Sequence, residues 1–214
     1  MPSFIDFARN QYTHLPIPEP PANIKDATYI VTGANTGLGY ECAKHLFHMG
    51  AKRIILAVRT PSKGEAALAT IRSETGRKDV GEVWELDLTS LDSVEAFAQR
   101  VNKLDRLDAI IENAGVVMTK FQLVEGIETS VLVNVVSTML LAFRVLPKLQ
   151  ESFTSSLRFV LYLTLALSLT LRDVPAWVTN ETGKRTQKRV WDDLLKRLES
   201  LGHGVDIEAL TTES

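Results

Sequence analysis

Several features that would indicate other classes of protein are scarce in this sequence. It holds a single cysteine, Cys42, so no internal disulfide can form and a reducing compartment is expected. Acidic and basic residues nearly balance, at 26 and 24, which gives no strong field for nucleic acid or an anionic membrane. The apolar run at residues 159–171 is shorter than the ~20 residues of a membrane-spanning helix. We therefore expect neither a nucleic-acid partner nor a membrane span.

The first residues also lack a recognisable targeting signal. Met-Pro-Ser-Phe-Ile-Asp-Phe has neither the basic region nor the apolar core of a secretory signal, so the expected location is cytoplasmic. A hydrophobic content of 45% and a charged content of 23% in 214 residues are ordinary for one globular domain. Glu41, His45 and His48 have helical spacing for a metal, but a solvated helix face is the expectation, and no metal is predicted.

The most informative stretch reads Tyr-Ile-Val-Thr-Gly-Ala-Asn-Thr-Gly-Leu-Gly. Its apolar start predicts a buried strand, and the residues after it carry apolar side chains at Leu38, Cys42, Leu46 and Met49, which predicts a helix. Strand, glycine turn and helix form the first half of a dinucleotide-binding unit. The glycines permit a tight turn, the approach of a pyrophosphate and a helix start close to the strand; they are Gly33, Gly37 and Gly39.

The spacing Gly-x-x-x-Gly-x-Gly resembles the cofactor loop of the short-chain dehydrogenase/reductase (SDR) family. The resemblance implies cofactor contacts by Asn35, Thr36 and Leu38 beside the three glycines. The alternating β and α elements that follow predict an α/β fold, a Rossmann-type doubly wound parallel sheet of about five strands. A purely structural glycine turn is the alternative reading of the loop.

The end of the second predicted strand bears on the choice of cofactor. An NAD-binding unit has an acidic residue about twenty positions after the glycines, where it binds the ribose 2′-hydroxyl. Here Val58 and Arg59 stand at that place and Lys63 follows. Positive charge suits a 2′-phosphate, so NADP(H) is favoured over NAD(H). The alternative is that Arg59 is only a surface residue that ends a strand.

Two further segments resemble SDR motifs of the cofactor cleft. Asp87-Leu88 ends the third predicted strand, where the resemblance implies contact with the adenine ring. Asn113-Ala114-Gly115 ends the fourth strand, where the family has Asn-Asn-Ala-Gly, and Glu112 replaces the first Asn. An ordinary turn would be the reading of Asn-Ala-Gly taken alone.

Residues 126–149 predict a long helix that includes Asn134-Val135-Val136-Ser137-Thr138. This segment resembles the SDR segment whose Asn bends the helix and holds a water on the proton relay. The resemblance makes Asn134 a candidate site residue and the helix a candidate homodimer face.

The resemblance breaks after residue 165. Leucines alternate along residues 159–171, which predicts the fifth strand, but the catalytic Ser position is held by Leu165, with Thr164 as a weak substitute. The resemblance also implies a catalytic Tyr-x-x-x-Lys, in which the Tyr donates a proton to the carbonyl and the Lys lowers the pKa of that Tyr. No such pair follows here, because Tyr162 is the last tyrosine. Tyr40 and Lys44 match that pattern only beside the glycine loop, far from a reacting carbonyl. The predicted helix from Gln187 to Leu201 resembles an insertion of the retinol-dehydrogenase-like branch.

These observations predict a Pro-rich lead-in at 1–25, an NADP-binding domain at 26–171 and a helical tail at 172–214. The family-level function is an NADP(H)-dependent oxidoreductase that acts on a carbonyl or alcohol of a small apolar molecule. Without the acid Tyr and its Lys, we expect little turnover from the chain unaided. A nucleotide-binding pseudoenzyme or interaction module is the alternative, and a shortened product of a longer reductase gene is a third.

Overall fold

Four parallel strands form the central sheet of the computed structural model, which describes residue 20, residues 23–152 and residues 181–206. The strands lie in the order β3-β2-β1-β4. The predicted doubly wound α/β fold is confirmed. The fifth predicted strand, at 159–171, lies outside the described residues. The strands are β1 (Thr28–Thr32), β2 (Arg53–Val58), β3 (Glu82–Glu85) and β4 (Ala109–Ile111).

Helices cover both faces of the sheet. On one face α1 (Gly37–Met49) and α2 (Pro61–Thr75) pack on Val31, Ile54 and Leu56. On the other face Ile30 and Ile55 enter a second cluster with the remaining helices. Neighbouring residues of one strand thus enter opposite clusters, which is why the strands are apolar throughout. The remaining helices are α3 (Leu91–Val101), α4 (Thr129–Glu151) and α5 (Glu181–Ser200).

The most buried face of α1 lies one position beyond the predicted apolar stripe, of which Cys42, Leu46 and Met49 pack on the core half-buried. Leu38 is 76% exposed, whereas Ala43 and Phe47 are fully buried. The helix lies against the sheet through its small residues, because Gly39 brings its first turn up to the strand ends. The exposed Leu38 therefore lies at the edge of the sheet and outside the core.

The predicted start of the long helix at residue 126 is also wrong. Leu123–Val124 (β5) and Ile127–Glu128 (β6) form an antiparallel hairpin, and Glu125 and Gly126 at its turn have φ of 51° and 70°. Two left-handed residues make the tight turn that suits a hairpin. The helix begins only at Thr129, where the Glu128 side chain accepts a hydrogen bond from the Val131 N–H.

Helix α4 is a core helix. By length and composition it is the one helix among the described residues that could cross a membrane, but 56% of its most apolar window is buried inside the fold. α5 packs alongside it: the rings of Phe143 and Trp191 meet edge to face at 5.5 Å. Leu198 is fully buried in the same cluster. The described part of the tail therefore shares the core of the sheet.

Candidate functional site

The candidate site lies at the carboxyl edge of the sheet, where the loops after β1 and β4 leave in different directions. In parallel α/β sheets, ligands bind at such a switch in strand order. A cavity of about 160 Å³ opens there, and a second cavity of about 320 Å³ shares its walls. Seven predicted site residues line the first cavity: Gly33, Asn35, Arg59, Asp87, Leu88, Ala114 and Gly115. The second cavity is lined in addition by the predicted residues Thr36, Leu38 and Asn113.

The two loops are fastened to each other by hydrogen bonds, which we call the Thr32–Asn113 clasp. The Thr32 hydroxyl oxygen accepts from the N–H groups of Asn113 at 3.0 Å and Ala114 at 2.9 Å. In return the Asn113 amide nitrogen donates to the Thr32 carbonyl at 3.0 Å. Thr32 is 1% exposed, so these groups have no ready exchange with water. The clasp fixes the distance between the glycine loop and the Asn-Ala-Gly turn.

The glycines serve the site in different ways. A Cβ on Gly39 would lie 2.5 Å from the Asn113 amide nitrogen and 2.6 Å from the Gly33 carbonyl oxygen, so only glycine fits beside the clasp. Gly37 has a φ of +61° and open space where its Cβ would be, which leaves its backbone accessible. The first turn of α1 has neither a side-chain cap nor an acidic residue. Its unpaired N–H groups and positive dipole end suit an anion.

The ends of β2 and β3 form the other wall. Asp87 accepts hydrogen bonds from the N–H and hydroxyl of Thr89, at 2.9 and 2.7 Å, which closes a tight turn. The Ser137 hydroxyl donates to the Leu88 carbonyl at 2.7 Å and holds that turn against α4. Arg59 is exposed and lines the cavity, and within the described residues its guanidinium makes no hydrogen bond or ion pair. Lys63 is exposed on α2 and lines neither cavity.

Asn134 lies in a π-helical segment of α4, Leu132–Ser137. Its side-chain oxygen accepts from the Val116 N–H at 2.8 Å, and its amide donates to the Val116 carbonyl at 2.7 Å. Both ends of the amide are therefore used to hold the loop that follows the Asn-Ala-Gly turn. The second candidate catalytic residue, Thr164, lies outside the described residues.

Neither alternative on α1 is supported by the geometry. Lys44 pairs with Glu74 of α2 at 2.7 Å, and neither Tyr40 nor Lys44 lines the two cavities. Across the described ranges, no group of three His, Cys, Asp or Glu residues could hold a metal ion.

Sequence reasoning missed part of the cavity and the role of Thr32, and it named Asn134 as a candidate site residue without its contact to Val116. The additional lining residues are apolar or small and end strands or follow them: Ala57, Leu86, Thr89, Val116 and Val133. The ends of two predicted strands were a signal for Ala57 and Leu86, because carboxyl ends of parallel strands share one edge. No local pattern identifies Thr32 and Asn134 as fastenings, since their partners are 81 and 18 positions away.

Glu112 is the unusual residue of this edge. It is 3% exposed, and neither carboxylate oxygen has a hydrogen-bond partner among the described residues. Burial raises the pKa of this carboxyl from 4.5 to about 8, because a buried charge without a partner is costly. The carboxyl is therefore mostly protonated at neutral pH.

A family model described as short chain dehydrogenase matches residues 27–157. The chain is 43% identical over 145 residues to the short chain dehydrogenase atnD of Emericella nidulans, covering 68% of this chain and 46% of that relative. It is 38% identical over 204 residues to the short chain dehydrogenase/reductase dmxR8 of Cryptosporiopsis sp., covering 87% of this chain and 61% of the relative. The chain thus spans about half the length of such curated relatives.

Solved structures show the same likeness. A short-chain dehydrogenase from Sphingobium yanoikuyae in complex with NADPH matches with a TM-score of 0.52 and 29% identity, over 59% of this chain and 49% of that one. A short chain dehydrogenase from Shigella flexneri complexed with NADP matches with a TM-score of 0.52 and 31% identity, over 64% of this chain and 59% of that one.

The clasp predicts the response to a change at Thr32. Thr32→Val keeps the shape but removes the acceptor of two N–H groups, so we expect a loss of about 2 kcal/mol in the free energy of unfolding. Thr32→Ser keeps the hydroxyl and should lose about 1 kcal/mol or less, for one methyl group. Urea denaturation measures both. If the Val variant matched the wild type, the two hydrogen bonds to the Thr32 hydroxyl would contribute no stability.

Glu112 predicts a pH-dependent stability. The folded chain holds a proton that the unfolded chain releases above pH 4.5, so stability should fall as pH rises from 4.5 to about 8. The slope from this group is at most about 1.4 kcal/mol per pH unit. Glu112→Gln, which cannot ionise, should flatten the curve of unfolding free energy in that window. An unchanged slope in the Gln variant would contradict the assignment.

Proposed function

The chain belongs to the short-chain dehydrogenase/reductase family, and on that premise we propose that it binds NADP(H) in the cleft at the carboxyl edge of the sheet. The proposed reaction is oxidation or reduction at the alcohol or carbonyl group of a small apolar molecule. The observation that carries the proposal is the meeting of three anion-binding features at one cleft: the uncapped start of α1, the glycine loop and Arg59, which has no partner among the described residues.

The pyrophosphate would lie on the glycine loop. Gly37 leaves space for it, and the exposed Leu38 lines the adjoining cavity. The N–H groups at the start of α1 would donate to its oxygens. Gly33 and Gly39 support this place from below, since side chains there would collide with the clasp. The residues present therefore fit a dinucleotide.

The adenosine half would lie between the ends of β2 and β3. Leu88 and Asp87 line the cavity there, and Leu88 would present an apolar wall to the ring. Arg59 would pair with the 2′-phosphate, because a guanidinium matches phosphate geometry and has no competing partner among the described residues. Lys63, on the exposed first turn of α2, would add charge at longer range. NADP(H) is accordingly proposed over NAD(H).

The cofactor, when bound, supplies or accepts the hydride of the proposed reaction. This chain's contribution at that end is support, through the contact of Asn134 with Val116. No described residue is assigned as the proton donor, because Tyr40 lies on α1 outside the cavities and Lys44 is paired with Glu74. We therefore also propose, and do not observe, that the whole protein turns over such a substrate and that it is cytoplasmic.

A homodimer through residues 126–149 is also part of the proposal. α5 already covers part of the surface of α4, since Trp191 packs on Phe143. Arg197 also donates a hydrogen bond to the Gly126 carbonyl, in the hairpin before α4, at 3.2 Å. A second copy would therefore have to use the parts of α4 that α5 leaves exposed, such as Val131, which is 47% exposed.

Titration with NADPH and NADH tests the proposed function directly. We expect a rise in melting temperature and enhanced cofactor fluorescence with NADPH, and weaker responses with NADH. A panel of apolar aldehydes and ketones then measures turnover separately, by the decay of NADPH absorbance. A folded chain that responds to neither dinucleotide would overturn the proposal.

Arg59 predicts the source of the cofactor preference. Arg59→Gln should raise the Kd for NADPH by about tenfold to a hundredfold, as expected for a lost charge-assisted contact of ~1.4–2.8 kcal/mol. The Kd for NADH, which lacks the 2′-phosphate, should change less than about twofold. Arg185→Gln, on the exposed surface of α5, is the matched control and should leave both constants unchanged. Equal weakening of both cofactors would refute the role of Arg59.

A further inference from the structure

Glu112 is a buried ionisable side chain that the proposed function leaves unused. The register that pairs Val31 with Ile111 places it beside Thr32, one step beyond the paired strands. The Asn113 N–H donates to the Ile111 carbonyl at 3.1 Å, which closes a tight turn centred on Glu112. The carboxyl is thus carried by the central residue of the turn that leads directly into the clasp.

Among the described residues, no charged group is paired with the Glu112 carboxyl. The neighbouring segments Thr32 to Gly39, Asn113 to Met118 and Leu132–Ser137 contain no ionisable residue. Burial is the cause of the raised pKa, without a contribution from any charged side chain. The charged groups that line the cavity, Arg59 and Asp87, lie across it on the ends of β2 and β3. Ionisation of Glu112 would therefore place an unpaired charge under the loops of the cleft.

A bound dinucleotide makes that ionisation harder still. Its pyrophosphate would add negative charge on the glycine loop, which touches the Asn113 side chain and the Ala114 backbone. Its body would also displace water from the cleft above the turn. Like charge and desolvation both favour the neutral carboxyl, so the bound state should hold the proton more tightly than the free state.

We propose that NADP(H) binding to this chain is proton-linked through Glu112: the buried carboxyl takes up or retains a proton when the dinucleotide binds, and affinity falls as the pH rises. The inference rests on the proposed function, since it concerns the same cleft. A group that holds its proton more tightly in the bound state makes binding weaker as the pH rises, because binding must then include uptake of that proton. Glu112 lines neither cavity, so it acts on the dinucleotide through its charge and not by contact with substrate or cofactor.

The test is a titration of the full chain with NADPH at constant ionic strength, at pH 7, 8 and 9, followed by cofactor fluorescence. We expect the wild-type Kd to rise by about twofold to fivefold from pH 7 to pH 9, corresponding to a pKa near 8 that binding raises by about half a unit to one unit. Above pH 7 the 2′-phosphate is already ionised, since its second pKa is about 6. Glu112→Gln should bind with a Kd that is constant across the range.

Calorimetry supplies a second readout. At pH 8, the apparent binding enthalpy of the wild type should differ between phosphate and Tris, whose protonation enthalpies differ, because protons are taken up. Glu112→Gln should show the same enthalpy in both. Glu112→Asn is the second variant should Gln disturb the fold, and the wild-type buffer dependence remains decisive if both do.

The outcomes separate the two proposals. A wild-type Kd that is constant with pH, or an equal pH dependence in Glu112→Gln, would overturn the linkage while NADPH binding stands. Absence of NADPH binding at every pH would overturn the proposed function, and the linkage with it.

Discussion

The hydrogen bonds of the Thr32–Asn113 clasp are the constraint on which the candidate site depends. β4 contributes a short strand, Ala109–Ile111, and pairs with β1 only through its three residues. Beyond these residues the two strands separate into loops, and the backbone hydrogen bonds of the sheet no longer fix the distance between them. The Thr32 hydroxyl and the Asn113 amide set it, by replacing the missing ladder bonds with side-chain bonds. Gly39 then follows as a consequence, because the clasp leaves no room for a Cβ there, and Gly33 combines a close approach to Ala114 with a φ of +66°.

α4 extends this control to the rest of the cleft. Its π-helical segment aims Asn134 at the backbone of Val116 and Ser137 at the carbonyl of Leu88. In this irregular turn the Thr138 hydroxyl donates a hydrogen bond to the Val133 carbonyl at 2.9 Å. Such a segment costs helix regularity, and π turns are frequent at functional sites. One helix thus holds the loops of β3 and β4, on opposite sides of the cavity.

The sequence predicted the parts of this arrangement that depend on local pattern. Apolar runs and glycines predicted the strands, the first turn and the edge of the sheet at which Gly33, Asp87 and Asn113 meet. It failed where tertiary contacts overrode local pattern. The most buried face of α1 is at Ala43 and Phe47, with Cys42 half-buried beside it. The hairpin displaced the start of α4, since Glu125 and Gly126 adopt a left-handed backbone. The partners of Thr32 and Asn134 could not be predicted, because a hydroxyl in a strand or an Asn in a helix does not show its distant partner.

Electrostatics divides the cleft into two unequal halves. Arg59 is exposed, so its attraction for an anion is weakened by water and salt. Glu112 is buried and unpaired, so any charge on it would act through protein with little screening. A family motif that has Asn in this place keeps a neutral side chain at every pH. The Glu keeps one only while it holds its proton. Under the proposed linkage, the buried carboxyl of Glu112 and the exposed Arg59 would both bear on the binding of an anionic ligand, although Glu112 lines neither cavity.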